Sequence, residues 1–386
     1  MAETPLPAHV RRALPALVGG RLAGNTGIRF VYPFLPAIAR GLGVSQETAG
    51  VAMSIREMSG LVAPFAGGVI DRGRRRLGML AGLALSALFL AVAGGAPGIV
   101  TFTVAVTAFG AAKIVYDTAM STWIGHHVPW QRRGTVVGIG EVSWSLALLV
   151  GVPLLGLAID AWGWRSAFWA VAGVHLVAAI AVLQGVVADD DGGGARAPRL
   201  RLLPGAVGIY AAMSLLSFAI ALVFVAYGFW LEDDIGWDVA TIGLASILLG
   251  VGELAGTGGA IWFADRIGKR RTVLIGCVGL VPTMALLGPS GARGLTAILV
   301  LGAVVTAFEL AFVAGLPLIT EIDPDARGAG VGTALALITV ARSIGTFGGS
   351  FLYARLGMGW TGVAAAVGVA LAGTIMLLAV REPRAR

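Results

Sequence analysis

Charge is what this sequence has least of. Only 13% of its 386 residues are Asp, Glu, Lys or Arg, about half the share of an ordinary soluble protein. With 57% hydrophobic residues and a mean hydropathy of +0.87, a water-soluble fold could not hide the apolar surface. Cysteine is nearly absent as well. The single Cys277 excludes an intrachain disulfide and any cysteine-rich zinc or iron–sulfur site. Histidine is scarce, only His126 and His127 are adjacent, and no ligand spacing stands out. No metal and no cofactor are expected. A phosphate-binding GxxxxGK[ST] run is missing, so no ATP site is expected. Without a nucleophile–base pair, an enzyme is not expected either. The N-terminus carries two Arg before its first apolar run but no cleavage site, and reads as a retained first helix.

What the sequence does have is long apolar runs. A helical span needs about 20 mostly apolar residues. Twelve such stretches are predicted, near 15–39, 46–70, 77–96, 99–125, 134–159, 165–187, 205–231, 239–264, 272–290, 294–320, 328–353 and 359–380. The expected class is therefore an all-α membrane protein of twelve transmembrane helices in two pseudo-symmetric six-helix bundles. The longest connection, 188–204, is polar and rich in Gly, Pro and charge, which marks a linker. It divides the chain into an N-terminal bundle, 1–187, and a C-terminal bundle, 205–386.

Lys and Arg set the orientation. With the N-terminus in the cytoplasm, nineteen of the 28 Lys and Arg fall in inside segments. Only Arg40, Arg165, Arg293 and Arg355 fall outside. Both termini are therefore expected to be cytoplasmic, in a multi-pass protein of the cell (inner) membrane. The net charge of +7 then reads as topology signal and contact with anionic lipid rather than nucleic-acid binding.

The apolar pattern breaks twice in the same way. Residues 67–80 read GGVIDRGRRRLGML and residues 263–276 read FADRIGKRRTVLIG. Asp71 and Asp265 lie 194 positions apart, as do Arg72 and Arg266, Arg133 and Arg327, Gly134 and Gly328, Gly138 and Gly332, and Gly151 and Gly345. One offset serving several anchors marks a duplicated six-helix unit. Parallel repeats of this kind suit a carrier whose halves rock about a central site.

At these residues the chain resembles the major facilitator superfamily, whose signature after spans 2 and 8 runs Gly-x-x-x-Asp-Arg-x-Gly-Arg-Arg. Gly67, Asp71, Arg72, Arg74, Arg75 and Arg76 match the first copy, with Gly73 one place early. Asp265, Arg266, Gly268, Lys269, Arg270 and Arg271 match the second. The resemblance implies that Gly67, Asp71, Arg72, Arg75, Asp265, Arg266, Arg270 and Glu321 form a conformational latch on the cytoplasmic side. The offset places His127 in the first half where Glu321 stands in the second, so the first latch lacks one acid. Span 5, with Gly151, Pro153 and Gly156, is similar to the glycine–proline helix of drug–proton antiporters in that superfamily. Val152 and Leu157 stand where that pattern has Gly. Close packing and a Pro bend explain the same residues structurally. The superfamily's usual monomer is expected here too.

Ten ionisable residues fall inside the predicted spans: Arg21, Arg29, Arg56, Lys113 and Arg342, against Glu57, Asp117, Glu141, Glu253 and Glu309. At about 2.5–3.5 kcal/mol each at the bilayer centre, ten such groups facing lipid would exceed a protein's net stability. They must face one another or a wet cavity. Arg21, Asn25 and Arg29, four apart, form one stripe on span 1; Lys113 and Asp117 share a face of span 4. His175 in span 6 reads as an uncharged packed residue. Asn25, Arg29, Tyr32, Arg56, Lys113 and Arg342 are the candidate substrate-binding residues. Glu309, Glu253, Asp117 and Glu57 are the candidates for proton coupling, because burial favours the protonated form of a carboxyl. Arg56–Glu57 and Lys113–Asp117 read equally as structural pairs. The expected activity is alternating-access secondary transport, with protons driving export of a small organic compound such as a drug or metabolite. The alternative is a carrier for organic anions or sugars that uses the intramembrane Arg residues as a clamp.

Overall fold

The computed structural model describes residues 5–63, 74–188, 202–321 and 327–380. Gly67, Asp71 and Arg72 of the first basic loop lie outside the described residues, as does most of the linker. Among the described residues the chain is helical, without strands. Lipid offers no partner to an open backbone, so each crossing segment must satisfy its own amides.

The helices in chain order are α1 (Ala8–Arg29), α2 (Leu35–Leu42), α3 (Gln46–Glu57), α4 (Arg75–Gly94), α5 (Ile99–His127), α6 (Trp130–Leu146), α7 (Val152–Trp162), α8 (Trp164–Gly185), α9 (Val207–Phe229), α10 (Val239–Ile267), α11 (Lys269–Ala285), α12 (Gly294–Glu321) and α13 (Arg327–Ala379), with one further short turn of helix before α12. Eight helical stretches among the described residues are long and apolar enough to cross a membrane. The expected spans exceed that number for physical reasons. The stretch Gly330–Ala379 is 50 residues long and breaks at Gly357, where φ is 74°, so it holds two expected spans. Helix α1 carries Arg11, Arg12, Arg21 and Arg29, and α11 is only 17 residues long and opens on three cations. The expected span 46–70 is described only as α3 and the 3₁₀ turn Met58–Val62 after it.

Span 1 is not one straight helix. It ends at Arg29, turns through residues 30–34, and resumes as α2. Span 5 is likewise interrupted. Pro153 has no amide hydrogen to donate, and the chain widens into a π-helical turn, Ala147–Gly151, between α6 and α7. A matching wide turn, Trp230–Asp234, ends α9.

The chain packs as two compact units. One holds Met1–Val31 with Ser59–Ala197; the other holds Tyr32–Met58 with Pro198–Arg386. In the first, α4 packs on α5 and α8, and α1 on α6 and α8. In the second, α9 packs along α13, α12 receives α10 and α11, and α3 lies on α13.

The 194-residue repeat is visible in the packing of each unit. Gly163 (φ 79°) turns the chain from α7 into α8, and Gly357 (φ 74°) makes the equivalent break in α13; both need the left-handed freedom of glycine. Arg76 donates to the Leu183 carbonyl near the end of α8. Arg270 donates to the Leu377 carbonyl near the end of α13. A cation at a helix C-terminus meets the last free carbonyls and the negative end of the dipole. Gly82 lets α4 touch the backbone of α5 at Ala112 and Tyr116, and Gly276 lets α11 touch that of α12 at Ala307 and Ala311.

Candidate functional site

In the second unit a small, polar stripe on α3 sets the site. Gln46, Gly50 and Ser54 recur every four residues, so they share one face. That face lies on α13. The Gln46 amide donates to the Ser350 carbonyl at 3.4 Å. Gly50 leaves no room for a Cβ against the Ser350 side chain. Ser54 donates to the Ser343 carbonyl at 2.9 Å, and Ser343 donates back to the Ser54 carbonyl at 2.9 Å. Small residues bring the backbones close enough for those bonds.

The close approach of α3 and α13 brings the charged residues together. Glu57 closes α3, and its carboxylate holds three partners. One oxygen accepts from Arg56 at 2.9 Å and from the Tyr32 hydroxyl. The other accepts from Arg342 Nε at 2.9 Å. The Arg56 guanidinium also lies 4.7 Å from the Tyr32 ring centre, a cation–π contact. Arg56 is only 2% exposed, whereas 27% of the Arg342 side chain is accessible. Phe224 of α9 flanks Tyr32, with ring centres 6.5 Å apart. Tyr32, Arg56, Glu57 and Arg342 thus form one cluster. Two cations and a phenol hold the carboxylate in its ionised geometry.

The other two candidate proton carriers of this unit stand elsewhere, at the contact between α10 and α12. Glu253 is buried on α10 and Glu309 half-buried on α12. Gly252 lies against the Gly302 carbonyl and Thr306, and Gly256 against the Glu309 Cβ. Glu253 and Glu309 therefore both stand on the helices that form this contact.

In the first unit the stripe on α1 faces α6. Arg21 pairs with Glu141 at 2.7 Å. The Asn25 amide donates to Ser143 Oγ at 2.8 Å, and that hydroxyl donates to the Gly140 carbonyl at 2.6 Å. On α5, Lys113 pairs with Asp117 at 2.6 Å. The Trp144 ring lies beside two cations of this unit. The Arg29 guanidinium lies 4.7 Å from the indole centre and the Lys113 ammonium 5.1 Å from it. His175 is buried, with Nδ1 2.8 Å from the Val171 carbonyl and Phe109 edge-on to its ring. Apart from Glu253 and Glu309, the described candidates thus fall into two groups in separate units. Asn25, Arg29, Lys113 and Asp117 form one; Tyr32, Arg56, Glu57 and Arg342 form the other.

The basic loops divide in the same way. Lys269 pairs with Glu321. Arg270 donates to the Met376 and Leu377 carbonyls. Asp265 and Arg266 are exposed, with Arg266 3.9 Å above the Trp262 ring. Arg75, the repeat equivalent of Lys269, is buried. His127, the equivalent of Glu321, stacks on Trp123 with ring centres 4.3 Å apart and stands edge-on to His9.

Ser143, Trp144, Ser54, Ser343 and Phe224 went unnoticed in the sequence. The four-residue recurrence of Gln46, Gly50 and Ser54 was a usable signal for the α3 face. Nothing in the local pattern around Trp144 distinguishes it from a lipid-facing aromatic.

A family model described as Major Facilitator Superfamily matches residues 17–204 and again residues 202–386. The chain is similar to the chloramphenicol resistance protein of Streptomyces lividans, 28% identical over 361 residues, covering 91% of this chain and 88% of that one. It is also similar to the multidrug resistance protein MdtG of Serratia proteamaculans, 28% identical over 189 residues and about half of each chain. Among solved structures it matches a bacterial homolog of the human lysosomal transporter Spinster, in an inward-facing and occupied conformation. The TM-score is 0.81 at 13% identity, over 97% of both chains. It also matches a D-xylose–proton symporter, with a TM-score of 0.77 at 19% identity, over 97% of this chain and 99% of the other.

Proposed function

Because the chain belongs to the major facilitator superfamily, a family of multi-pass membrane transporters rather than enzymes, we propose that it is a proton-coupled exporter of a small organic compound. The observation that carries the coupling is the placement of Glu253 and Glu309 on one contact between two apolar helices. In this reading the two acids, each set in an apolar helix, are the groups that exchange the proton. A proton bound in one access state and released in the other is what coupling requires. Glu57 serves a different purpose in this reading. Its three partners hold it as an anion, which makes it a structural lock for Tyr32, Arg56 and Arg342. Asp117 is held by Lys113 and stands behind the two glutamates as a proton carrier.

Export is supported by the full-length relative whose name is a drug-resistance function. The positive-inside bias supports cytoplasmic termini in the cell membrane. In this reading the protein acts as a monomer, and its repeats, 1–187 and 205–386, alternately expose the central charges. The Lys269–Glu321 pair belongs to the cytoplasmic latch. The rival reading, a carrier of organic anions or sugars clamped by Arg, is favoured by one observation, the accessibility of the Arg342 side chain. Arg56 is fully committed to Glu57 and Tyr32, which limits that clamp.

Flux of chloramphenicol through liposomes containing the purified protein, with and without an imposed pH gradient, tests the proposal. The expected result is gradient-driven flux that Glu309→Gln or Glu253→Gln abolishes, while substrate-for-substrate exchange persists because it moves no net proton. Full gradient-driven flux in both variants would remove the two glutamates from the coupling role.

A further inference from the structure

Helix α13 carries a hydroxyl that its surroundings leave unanswered. Thr346 is fully buried, and its Oγ1 has no hydrogen-bond partner among the described residues. On α9 the hydroxyls of Tyr210, Ser214 and Ser217 share that condition. Tyr210 and Ser217 are fully buried as well, and Ser214 partly so. Other hydroxyls in these helices behave differently. Thr103, Thr107, Thr118, Thr122, Thr306 and Thr361 each donate to the carbonyl four residues back. Ser143, Ser246 and Ser290 donate three residues back. Ser54 and Ser343 bond across a helix contact, the other common outcome between membrane helices.

The four unanswered hydroxyls lie along one contact, between α9 and α13. Tyr210, Ser214, Ser217 and Ala221 follow at intervals of four, three and four, which is one face of α9. The foot of that face meets α13 at Gly330, where an added Cβ would stand 3.4 Å from the Tyr210 hydroxyl. Further along, the face meets α13 at Gly345, where an added Cβ would stand 3.0 Å from the Ala221 Cβ. Thr346 follows Gly345, so it lies at the level of Ala221, about one turn beyond Ser217. Arg342, four residues before Thr346, shares its face of α13. Arg342 bonds Glu57 at 2.9 Å, and 27% of its side chain is accessible. The row of hydroxyls therefore leads from the foot of α9 to the charged cluster of this unit.

The spacing suits a bridging molecule. Residues three apart on a helix hold their Cβ atoms about 5–6 Å apart. That is too far for one hydrogen bond and matches two of about 2.8 Å each. Water both donates and accepts, as hydroxyls require, and a buried water completes about three such groups. Left dry, the four hydroxyls would burden the fold, and Ala or Val would fill the contact better.

We propose that Ser214, Ser217 and Thr346 hold a short file of internal water between α9 and α13, with Tyr210 at its foot, and that this file hydrates Arg342. Its role rests on the transport reading above. As the repeats alternate and Glu57 parts from Arg342, the file takes over hydrogen bonds that the guanidinium gives up.

Melting curves of the purified full-length protein in one detergent test the file. Ser217→Ala and Thr346→Val should each lower the melting temperature by about 2–4 °C. The double variant should fall by less than the sum, because both changes empty the same file. Dry, orphaned hydroxyls predict the opposite sign, so raised or unchanged melts in both single variants would overturn the proposal. Thr346→Val should also fall short of additivity with Arg342→Met but add to Arg40→Gln, whose exposed pair lies away from the row. Simple addition with Arg342→Met would break the link to Arg342. A density map sharp enough to show ordered water identifies the occupant. Water bridging Ser214, Ser217 and Thr346 is expected. Hydroxyls turned onto their own helix carbonyls, with no water beside them, would overturn the file even if the variants melt lower. Liposome flux, with chloramphenicol as the probe, tests the role: Thr346→Val should slow it at unchanged probe affinity, and parent flux in the folded variant would remove that role. Melts and density need no transport. A parent protein without flux would sink the exporter reading, while the file stands or falls on those two measurements.

Discussion

Glu57 gives the sharpest test of the cluster in the second unit. Replacing it with Gln keeps the shape of the side chain and removes the charge. Arg56, 2% exposed, and Arg342, bonded at 2.9 Å, then share an apolar site without their carboxylate. Leaving one member of a buried ion pair uncompensated costs about 3–5 kcal/mol. At roughly 2–4 °C per kcal/mol for a body of this size, the melting temperature should fall on the order of 10 °C. Arg342→Met alone should cost less, because Glu57 keeps Arg56 and the Tyr32 hydroxyl. Tyr32→Phe removes one hydrogen bond and should cost about 1 kcal/mol. The double variant Glu57→Gln/Arg342→Met leaves only one stranded cation, so its cost should fall short of the sum by about 0.5–3 kcal/mol. Arg40→Gln is the control. Arg40 pairs with Glu232 but its side chain is 56% exposed, and such pairs contribute about 0–1 kcal/mol. Thermal melts in one detergent at fixed pH read all five variants. A Glu57→Gln melt no lower than that of Arg40→Gln, or costs that simply add, would refute the lock.

Three further outcomes follow from the packing. Gly276→Val should destabilise by about 1–3 kcal/mol or more, because its Cβ would fall 2.8 Å from the Ala311 nitrogen and 2.9 Å from the Ala307 carbonyl oxygen. Gly82→Val should do the same in the other unit; a parent-like melt for either would contradict the close helix contact. Asp238 caps α10 by accepting from the Thr241 amide at 2.6 Å, and that bond holds its carboxyl below the usual range. With the folded value depressed, the cap contributes above the unfolded pKa of about 3.9 and is lost as pH falls through the lower folded value. Asp238→Ala should therefore melt below the parent at pH 6, and the gap should close below pH 4; a gap independent of pH would count against the cap. Glu321→Gln, which breaks the Lys269 pair, and Asp265→Asn should slow liposome flux while leaving probe affinity unchanged. Parent rates in both would reduce the second loop to a topology signal.

Periodicity and composition carried the fold class a long way. Twelve apolar runs, a polar linker and a recurring offset are all local or one-dimensional signals, and each has a physical cause that acts along the chain. The composition of the sites was legible too, because a charge inside an apolar run is costly and must be answered. The pairs close in sequence, Arg56–Glu57 and Lys113–Asp117, were legible as well, whereas the distant ones were not. Glu57 and Arg342 are 285 residues apart, and only the fit of α3 on α13 joins them. Glu57 reads from the sequence both as a candidate proton carrier and as half of a structural pair with Arg56, and its three partners favour the lock. The boundary read from the linker separates two repeats of sequence. Spatial packing instead places Tyr32–Met58 with the second half of the chain, because the small stripe of α3 fits α13. Trp144 escaped notice because an indole in an apolar helix has the same one-dimensional signature whether it meets lipid or cations.

The repeat itself separates scaffold from function. At the 194-residue offset the structural devices recur: Gly82 with Gly276, Arg76 with Arg270, and Gly163 with Gly357. The intramembrane charges do not. Arg21, Arg29 and Lys113 fall opposite Leu215, Val223 and Ala307, while Asp117 and Glu141 fall opposite Ala311 and Leu335. Arg56 and Glu57 fall opposite Gly250 and Val251. In the reverse direction Glu253, Glu309 and Arg342 fall opposite Ser59, Val115 and Leu148. A slip of one residue, which the helix contacts of Gly82 and Gly276 suggest, changes nothing: Lys113, Asp117 and Glu309 then meet Phe308, Phe312 and Ile114. Scaffold features common to both halves recur, like the glycines and the capping arginines, whereas a lock particular to one half, such as Glu57 with Arg56 and Arg342, does not. Charges that recognise a substrate or carry a proton need only one copy, and two unlike sets in the two halves give each half a separate task. The asymmetry is in keeping with the proposal that the acids of α10 and α12 serve coupling and with the expectation that the cations of the first unit serve recognition.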